Sequence, residues 1–152
     1  RYLWWNGPAL SPFWRGYAWH ARQSLDEKAM DRAAACLVGE HDFSSFRAAG
    51  CSAKTPVRRV LKARVVRKGE RVTFEIQGTA FLRQMVRILA GTLHDVGIGL
   101  RAADSLPGLL AARDRKQAGK TAPPEGLILW QVNYGAIPRP GRNPRSKSSF
   151  AT

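Results

Sequence analysis

The sequence has few cysteines, few acidic residues and no long apolar run, and each shortage excludes a class of protein. Its two cysteines, Cys36 and Cys51, form no CxxC motif, which argues against a disulfide framework and for reduced thiols. The histidines His20, His41 and His94 share no metal-ligand spacing with each other or with the cysteines, so no metal site is expected. No stretch approaches the roughly 20 apolar residues of a membrane span. We therefore expect a cytoplasmic protein without a metal.

The shortage of acids leaves a large positive charge. Lys and Arg number 25 against 11 Asp and Glu, a net charge of +14. Such an excess is typical of proteins that bind polyanions, and nucleic acid is the expected partner. An anionic membrane surface is the alternative, but the basic residues do not gather on one face of an amphipathic helix. The P-loop, GxGxxG and HExxH motifs are also absent.

The hydrophobic pattern predicts a single α+β domain over residues 1–134. A capping box of Ser24 and Glu27 opens a helix that Gly39 closes, and a second helix follows the apolar residues from Leu82 to Val96. A shorter helical segment is predicted over residues 105–117. The predicted strands are Phe13–His20, Val57–Arg67, Arg71–Gln77 and Leu127–Tyr134.

This order, β-α-β-β-α-(α)-β, predicts a ferredoxin-like fold, in which a four-stranded and mainly antiparallel sheet carries its helices on one face. Such sheets often bind RNA on the open face, although the aromatic pattern of an RRM domain is absent. Residues 135–152 contain three prolines, several basic residues and no acid, which predicts a disordered basic tail. This tail either adds contacts to phosphates or is a solvated basic segment without a defined role.

Two regions carry candidate RNA-binding residues. Arg83 and Arg87 are four residues apart on the second predicted helix, where like charges gain nothing locally, so an acidic partner elsewhere is expected. A solvated helix face is the other reading of this pair. The loop of residues 40–59 combines hydroxyls and basic groups around two phenylalanines, a composition that suits phosphates and unstacked bases. Its candidates are Ser44, Ser45, Arg47, Lys54, Arg58 and Arg59.

Four segments resemble the C-terminal half of the tRNA pseudouridine synthase A family. They occur in the order that the family has, and at comparable separations. They are GEHDFSSFR at 39–47, KTPVRRV at 54–60, AFLRQMVRILAGTL at 80–93 and EGLIL at 125–129.

The resemblance implies an isomerase that converts uridine to pseudouridine in the anticodon stem-loop of tRNA, without cofactor or metal. In that family an aspartate of a GRTDxG signature acts on the flipped nucleotide, and an arginine of the MVR motif pairs with the aspartate. A tyrosine stacks on the base, and a leucine after EG packs under it. The matching positions here are Arg87 for the arginine and Leu127 for the leucine.

The catalytic carboxylate has no counterpart in this sequence. None of its aspartates lies in a GRTDxG signature, and the opening RYLWWNG resembles a family pattern in which the stacking tyrosine precedes Arg1. We therefore expect a C-terminal fragment that is inactive alone and needs an N-terminal half, with homodimerisation left open. The alternative is a noncatalytic RNA-binding module on a ferredoxin-like sheet.

Overall fold

The computed structural model describes residues 1–135, and the predicted disordered tail lies outside these residues except for Gly135. The described chain forms five strands and three α-helices. The strands are β1 (Tyr2–Trp5), β2 (Trp19–His20), β3 (Gly39–Asp42), β4 (Val57–Lys68) and β5 (Arg71–Gly78). The helices are α1 (Glu27–Ala35), α2 (Met85–Gly97) and α3 (Leu106–Ala112).

The strands of residues 1–135 form one sheet in the order β2-β1-β5-β4-β3. β1 pairs antiparallel with β5, β5 with β4, and β4 with β3, while the short β2 runs parallel to β1. Both α1 and α2 pack against one face, because α1 contacts β4 and α2, and α2 also contacts β1. The predicted α+β class, the mainly antiparallel sheet and the helices on one face are confirmed, but the sheet has five strands instead of four.

The core lies between the two helices and this covered face of the sheet. The register places Tyr2 opposite Phe74 and Trp4 opposite Val72, and all four side chains are buried. Met30 from α1 and the apolar stripe of α2 complete the same cluster. Each large apolar side chain buried here contributes about 1.5–3 kcal/mol, so the covered face specifies the strand register.

The predicted first strand was wrong over most of its length. Residues Pro12–Trp14 form a short 3₁₀ turn, and strand geometry begins only at Trp19. Pro12 cannot donate to a sheet ladder, and Gly16 has a φ of +80°, a left-handed conformation that ends an extended run. The real first strand is β1, which the aromatic pattern of the following loop obscured.

Two helix starts also differ from the predictions. Asp26, not Ser24, caps α1, because its Oδ1 accepts a hydrogen bond of 3.0 Å from the amide of Ala29. α2 begins at Met85, since Gln84 has a left-handed backbone with a φ of +59°. Arg83 therefore precedes the helix and does not share a face with Arg87.

The predicted last strand is reduced to a single bridge. Leu127 bridges Tyr2 in antiparallel sense, and the amide of Ile128 donates to the carbonyl of Arg1 at 2.8 Å. No strand is assigned over 128–134. The bridge lies on the edge of β1 away from β5, so the chain end still reaches the sheet beside its first strand. The predicted helical segment of residues 105–117 divides into α3 and a 3₁₀ turn at Arg115–Gln117.

Candidate active site

A groove of about 720 Å³ opens where β4, β5, the start of α2 and residues 127–133 meet. Arg87 and Leu127, the two positions that the sequence singled out for catalysis, both line it. Its other lining side chains include Lys62, Glu75, Phe81 and Trp130. The walls thus combine apolar and aromatic groups with cations, the composition expected of a pocket for a flipped nucleotide.

Arg87 lies in the first turn of α2 and uses only part of its guanidinium within the described chain. Its Nε donates a hydrogen bond of 2.8 Å to the carbonyl of Ala122, and the Ala122 amide donates back to the Arg87 carbonyl at 3.0 Å. Within residues 1–135, none of the four ion pairs includes Arg87. The N-terminal end of a helix also favours negative charge, so Arg87 and the helix together prepare a site for an anion.

α2 also fixes the segment that leads to Leu127. A Cβ built on Gly91 would lie 1.7 Å from the carbonyl oxygen of Lys120, so only glycine permits this approach. At the next residue, the Thr92 hydroxyl accepts a hydrogen bond of 2.9 Å from the amide of Gly119. The segment is therefore attached to the helix by backbone contacts before it enters the groove.

Tyr2 secures the same segment from the sheet. Its hydroxyl donates to the carbonyl of Pro123 at 2.7 Å, and its ring fills the space that a side chain on Gly126 would need. Burial raises the pKa of Tyr2, the charge of Glu125 raises it further and Arg87 opposes both, so the pKa lies far above its usual value. The phenol stays protonated and keeps its hydrogen bond. Leu127 follows this anchored turn and is 41% exposed toward the groove.

Glu75 contributes the one carboxylate among the described residues that line the groove. It binds Arg64 at 2.6 Å and Arg1 at 3.0 Å. Burial alone would raise the pKa of Glu75, but the hydrogen bond from Arg64 and the charges of Arg1 and Arg64 lower it below the usual range. The carboxylate is ionised and already paired, so it is not a free partner for Arg87.

The candidates from the loop of residues 40–59 do not line the groove. Ser45 is buried; its hydroxyl donates to the Leu109 carbonyl at 2.6 Å and accepts from the Asp114 amide at 2.9 Å. The Ser44 hydroxyl donates to Asp42 at 2.6 Å. Both hydroxyls are engaged within the fold, and Ser45 is not accessible to a phosphate.

The loop arginines differ in how far the protein already uses them. Arg47 donates from Nη2 to the carbonyls of Cys51 and Ala53, and Arg58 donates from Nη1 to two nearby carbonyls. Lys54, Arg59 and Arg83 are exposed. Arg83 precedes α2 and lies against this loop, because its carbonyl accepts a hydrogen bond from the Ala48 amide and its Nη1 lies 3.8 Å from a Cβ built on Gly50.

Glu75, Lys62 and Trp130 were missed as site residues by sequence reasoning. A signal for the first two existed, because alternation along the β4–β5 hairpin places Lys62, Arg64 and Glu75 on the face opposite the buried Phe74. Trp130 lies outside any repeating element, and its position over the Arg1 guanidinium, 4.0 Å from the ring centroid, follows only from the fold. In residues 1–135, no three His, Cys, Asp or Glu side chains are grouped so that they could hold a metal ion.

A family profile described as tRNA pseudouridine synthase matches residues 33–135, the range that contains Arg87, Leu127 and the groove walls from β4 onward. The chain belongs to the tRNA pseudouridine synthase family. Within the described residues, no helix is long and apolar enough to cross a membrane.

Curated relatives match a larger share of the chain than the profile does. A tRNA pseudouridine synthase A from Geotalea uraniireducens is 48% identical over 134 residues, which cover 88% of this chain and 55% of that protein. The protein of the same name from Myxococcus xanthus is 49% identical over 140 residues, or 91% of this chain and 52% of the relative. That from Acetivibrio thermocellus is 47% identical over 134 residues, with 88% and 55% covered. The chain spans about half the length of the curated relatives it matches.

Proposed function

We propose that this chain supplies the C-terminal half of a tRNA pseudouridine synthase active site. The observation that carries the proposal is that Arg87 and Leu127 line one groove although 40 residues separate them in sequence. The resemblance gives these residues complementary tasks, an ion pair with the catalytic aspartate and an apolar support for the base. A noncatalytic RNA-binding module would not require this juxtaposition.

In the proposed reaction the uridine leaves the helical stack and enters the groove, where the glycosidic bond breaks and the base rejoins the sugar through carbon. A flipped base needs apolar walls, which Leu127 and its neighbours provide. The catalytic aspartate comes from the N-terminal half. Arg87 holds that carboxylate ionised, because a fixed cation offsets the cost of removing it from water.

The proposed partners are therefore tRNA and an N-terminal half of the same enzyme, in the cytoplasm. Outside the groove, the exposed Lys54, Arg59 and Arg83 are the retained candidates for phosphate contacts. Homodimerisation also belongs to the proposal, and sedimentation of the joined enzyme would measure it. Because the charge excess is broad, the chain alone should bind RNA weakly. The logarithm of the binding constant should fall with the logarithm of salt concentration, with a slope of about 0.7 per neutralised phosphate.

Joining the chain to the N-terminal half of the Geotalea uraniireducens relative tests the catalytic proposal. Tritium release from tRNA that carries 5-[³H]uridine measures turnover. The joined protein should release tritium, and the 152-residue chain alone should not. Arg87→Ala in the joined protein should raise the barrier by about 3–5 kcal/mol, since it leaves a buried carboxylate without its partner.

The matched control is Arg32→Ala, which removes an exposed arginine from α1. It should leave turnover unchanged. Turnover by the chain alone, or full activity of the joined protein with Arg87→Ala, would show that the active site lies elsewhere.

A further inference from the structure

The loop of residues 11–18, between β1 and β2, combines exposed aromatic rings with an arginine. None of its residues lines the groove. Phe13 is 88% exposed and Tyr17 is 61% exposed, and exposed Arg15 lies between them in sequence. The fold leaves both rings largely uncovered, so core packing does not account for them.

The loop has a defined conformation that presents these rings. Trp14 stacks on Trp5 of β1 with 6.1 Å between ring centroids, and the Arg71 guanidinium lies 5.3 Å from the Trp14 centroid. The Trp14 carbonyl accepts the amide of Tyr17 at 3.0 Å, and the φ of +80° at Gly16 makes this reversal possible. Phe13 and Tyr17 thus flank an anchored tryptophan.

The register connects this loop to the groove along the open face of the sheet. Glu75 in the groove, Thr73 and Arg71 alternate on one face of β5, and Lys68 of β4 is the partner of Arg71. Four residues of strand, about 13 Å, separate Glu75 from Arg71.

We propose that the loop of residues 11–18, together with Lys68 of β4, forms a second RNA contact. Phe13 and Tyr17 stack on unpaired bases there, and Arg15 and Lys68 bind the phosphates. This proposal rests on the proposed function in one respect: the RNA that enters the groove must have unpaired nucleotides. Aromatic rings beside arginine are a common platform for single-stranded RNA. The exposed apolar residues Leu129, Trp130, Val132 and Tyr134 include no charged side chain, and the arginine beside the Trp130 ring, Arg1, is already paired with Glu75.

Titration of the 152-residue chain with a fluorescent anticodon stem-loop RNA tests the proposal without any catalytic step. The double variant Phe13→Ala, Tyr17→Ala should raise Kd at least fivefold and leave the slope of log Kd against log salt unchanged. Arg15→Ala should instead reduce that slope by about 0.7–0.9. Phe13→Tyr should retain affinity, because the ring remains.

Leu100→Ala is the matched control, since Leu100 is 77% exposed after the end of α2. It should not change Kd, and the double variant should not weaken binding to a fully paired RNA duplex of equal length.

Unchanged affinity of the double variant for the stem-loop would overturn the proposal. A double variant that binds RNA normally but loses affinity for a separately produced N-terminal half would show that the loop is a protein interface. Failure of tritium release by the joined enzyme would contradict the catalytic proposal and leave these titrations interpretable.

Discussion

Arg87 in the groove and Arg47 in the loop of residues 40–59 both come from segments that resemble the family, but they meet different surroundings. Arg47 gives one guanidinium nitrogen to two backbone carbonyls of its own loop. Among the described residues, the Arg87 side chain donates only from Nε, to the Ala122 carbonyl, and it lines the groove. The difference teaches that charge and motif identify arginines of interest, whereas their hydrogen bonds separate an arginine that holds the fold from one that lines an open groove.

Replacing Arg87 by lysine would sharpen this comparison most. Arg87→Lys in the joined enzyme keeps the charge but loses the planar guanidinium and its bond to Ala122, so turnover should fall about 100-fold. Tritium release measures the loss, and Arg32→Lys is its control. If lysine restored full turnover, charge alone would be sufficient and the contact with Ala122 would have no catalytic importance.

His94 shows whether a buried polar atom without a hydrogen-bond partner is enough to identify a functional site. Its Nδ1 has no partner among the described residues, but the ring is buried and stacks on Trp19 with 4.2 Å between centroids. Burial, with a smaller contribution from Lys120, lowers the pKa of His94 to about 4.

Between pH 6.5 and 4 the unfolded chain therefore binds a proton that the folded chain excludes, and stability falls as the pH falls through this window. The expected loss from pH 7 to pH 5 is about 2 kcal/mol. Urea unfolding of the chain at both pH values measures it. His94→Asn should flatten the difference, and an equal pH dependence in that variant would assign the effect to carboxylates.

Arg47→Ala tests the other half of the comparison, namely that Arg47 stabilises the fold and does not bind RNA. Loss of two charged hydrogen bonds to loop carbonyls should lower the free energy of unfolding by about 1.5 kcal/mol. Stem-loop RNA affinity of the folded fraction should change little. The measurements are urea unfolding and fluorescence anisotropy, with Lys54→Ala as the comparison variant for RNA binding. Weakened RNA binding with unchanged stability would return Arg47 to the RNA contacts that the sequence predicted.

Tyr2→Phe should have the smallest effect. It removes the hydroxyl bond to Pro123 while retaining the packed ring, so the free energy of unfolding should fall by about 1 kcal/mol. Turnover of the joined enzyme should fall a few-fold through kcat, since Leu127 loses part of its support. The variant Tyr134→Phe, which removes a phenol from a ring that is 94% exposed and does not line the groove, provides the control for kcat. An unchanged kcat in Tyr2→Phe would mean that Gly126 and the backbone bridge hold Leu127 without the phenol.

The sequence predicted the elements whose signals are local. The β4–β5 hairpin and the stripe of α2 follow from alternation and helical periodicity over neighbouring residues. β1 and β3 are four residues long and depend on partners far along the chain, so periodicity did not reveal them. The left-handed Gln84, which moves Arg83 off the helix, has no signature in residue type.

The same distinction applies to the site. Motif resemblance placed Arg87 and Leu127 in one active site, and both line the groove. Sequence could not show that Ser45 is buried, because its hydrogen-bond partners, Leu109 and Asp114, are 64 and 69 residues away. Nor could it show the pairing of Glu75 with Arg1 across two strands.

The contact between Gly91 and Lys120 also bears on how this chain can change in evolution and in the laboratory. The spacing between α2 and the segment that leads to Leu127 is set by backbone meeting backbone, not by the size of interchangeable side chains. Core residues around the helix can therefore be exchanged for others of similar volume while the groove keeps its width. Gly91 itself has no such latitude, and variant libraries of the groove should hold it constant and change the groove walls instead.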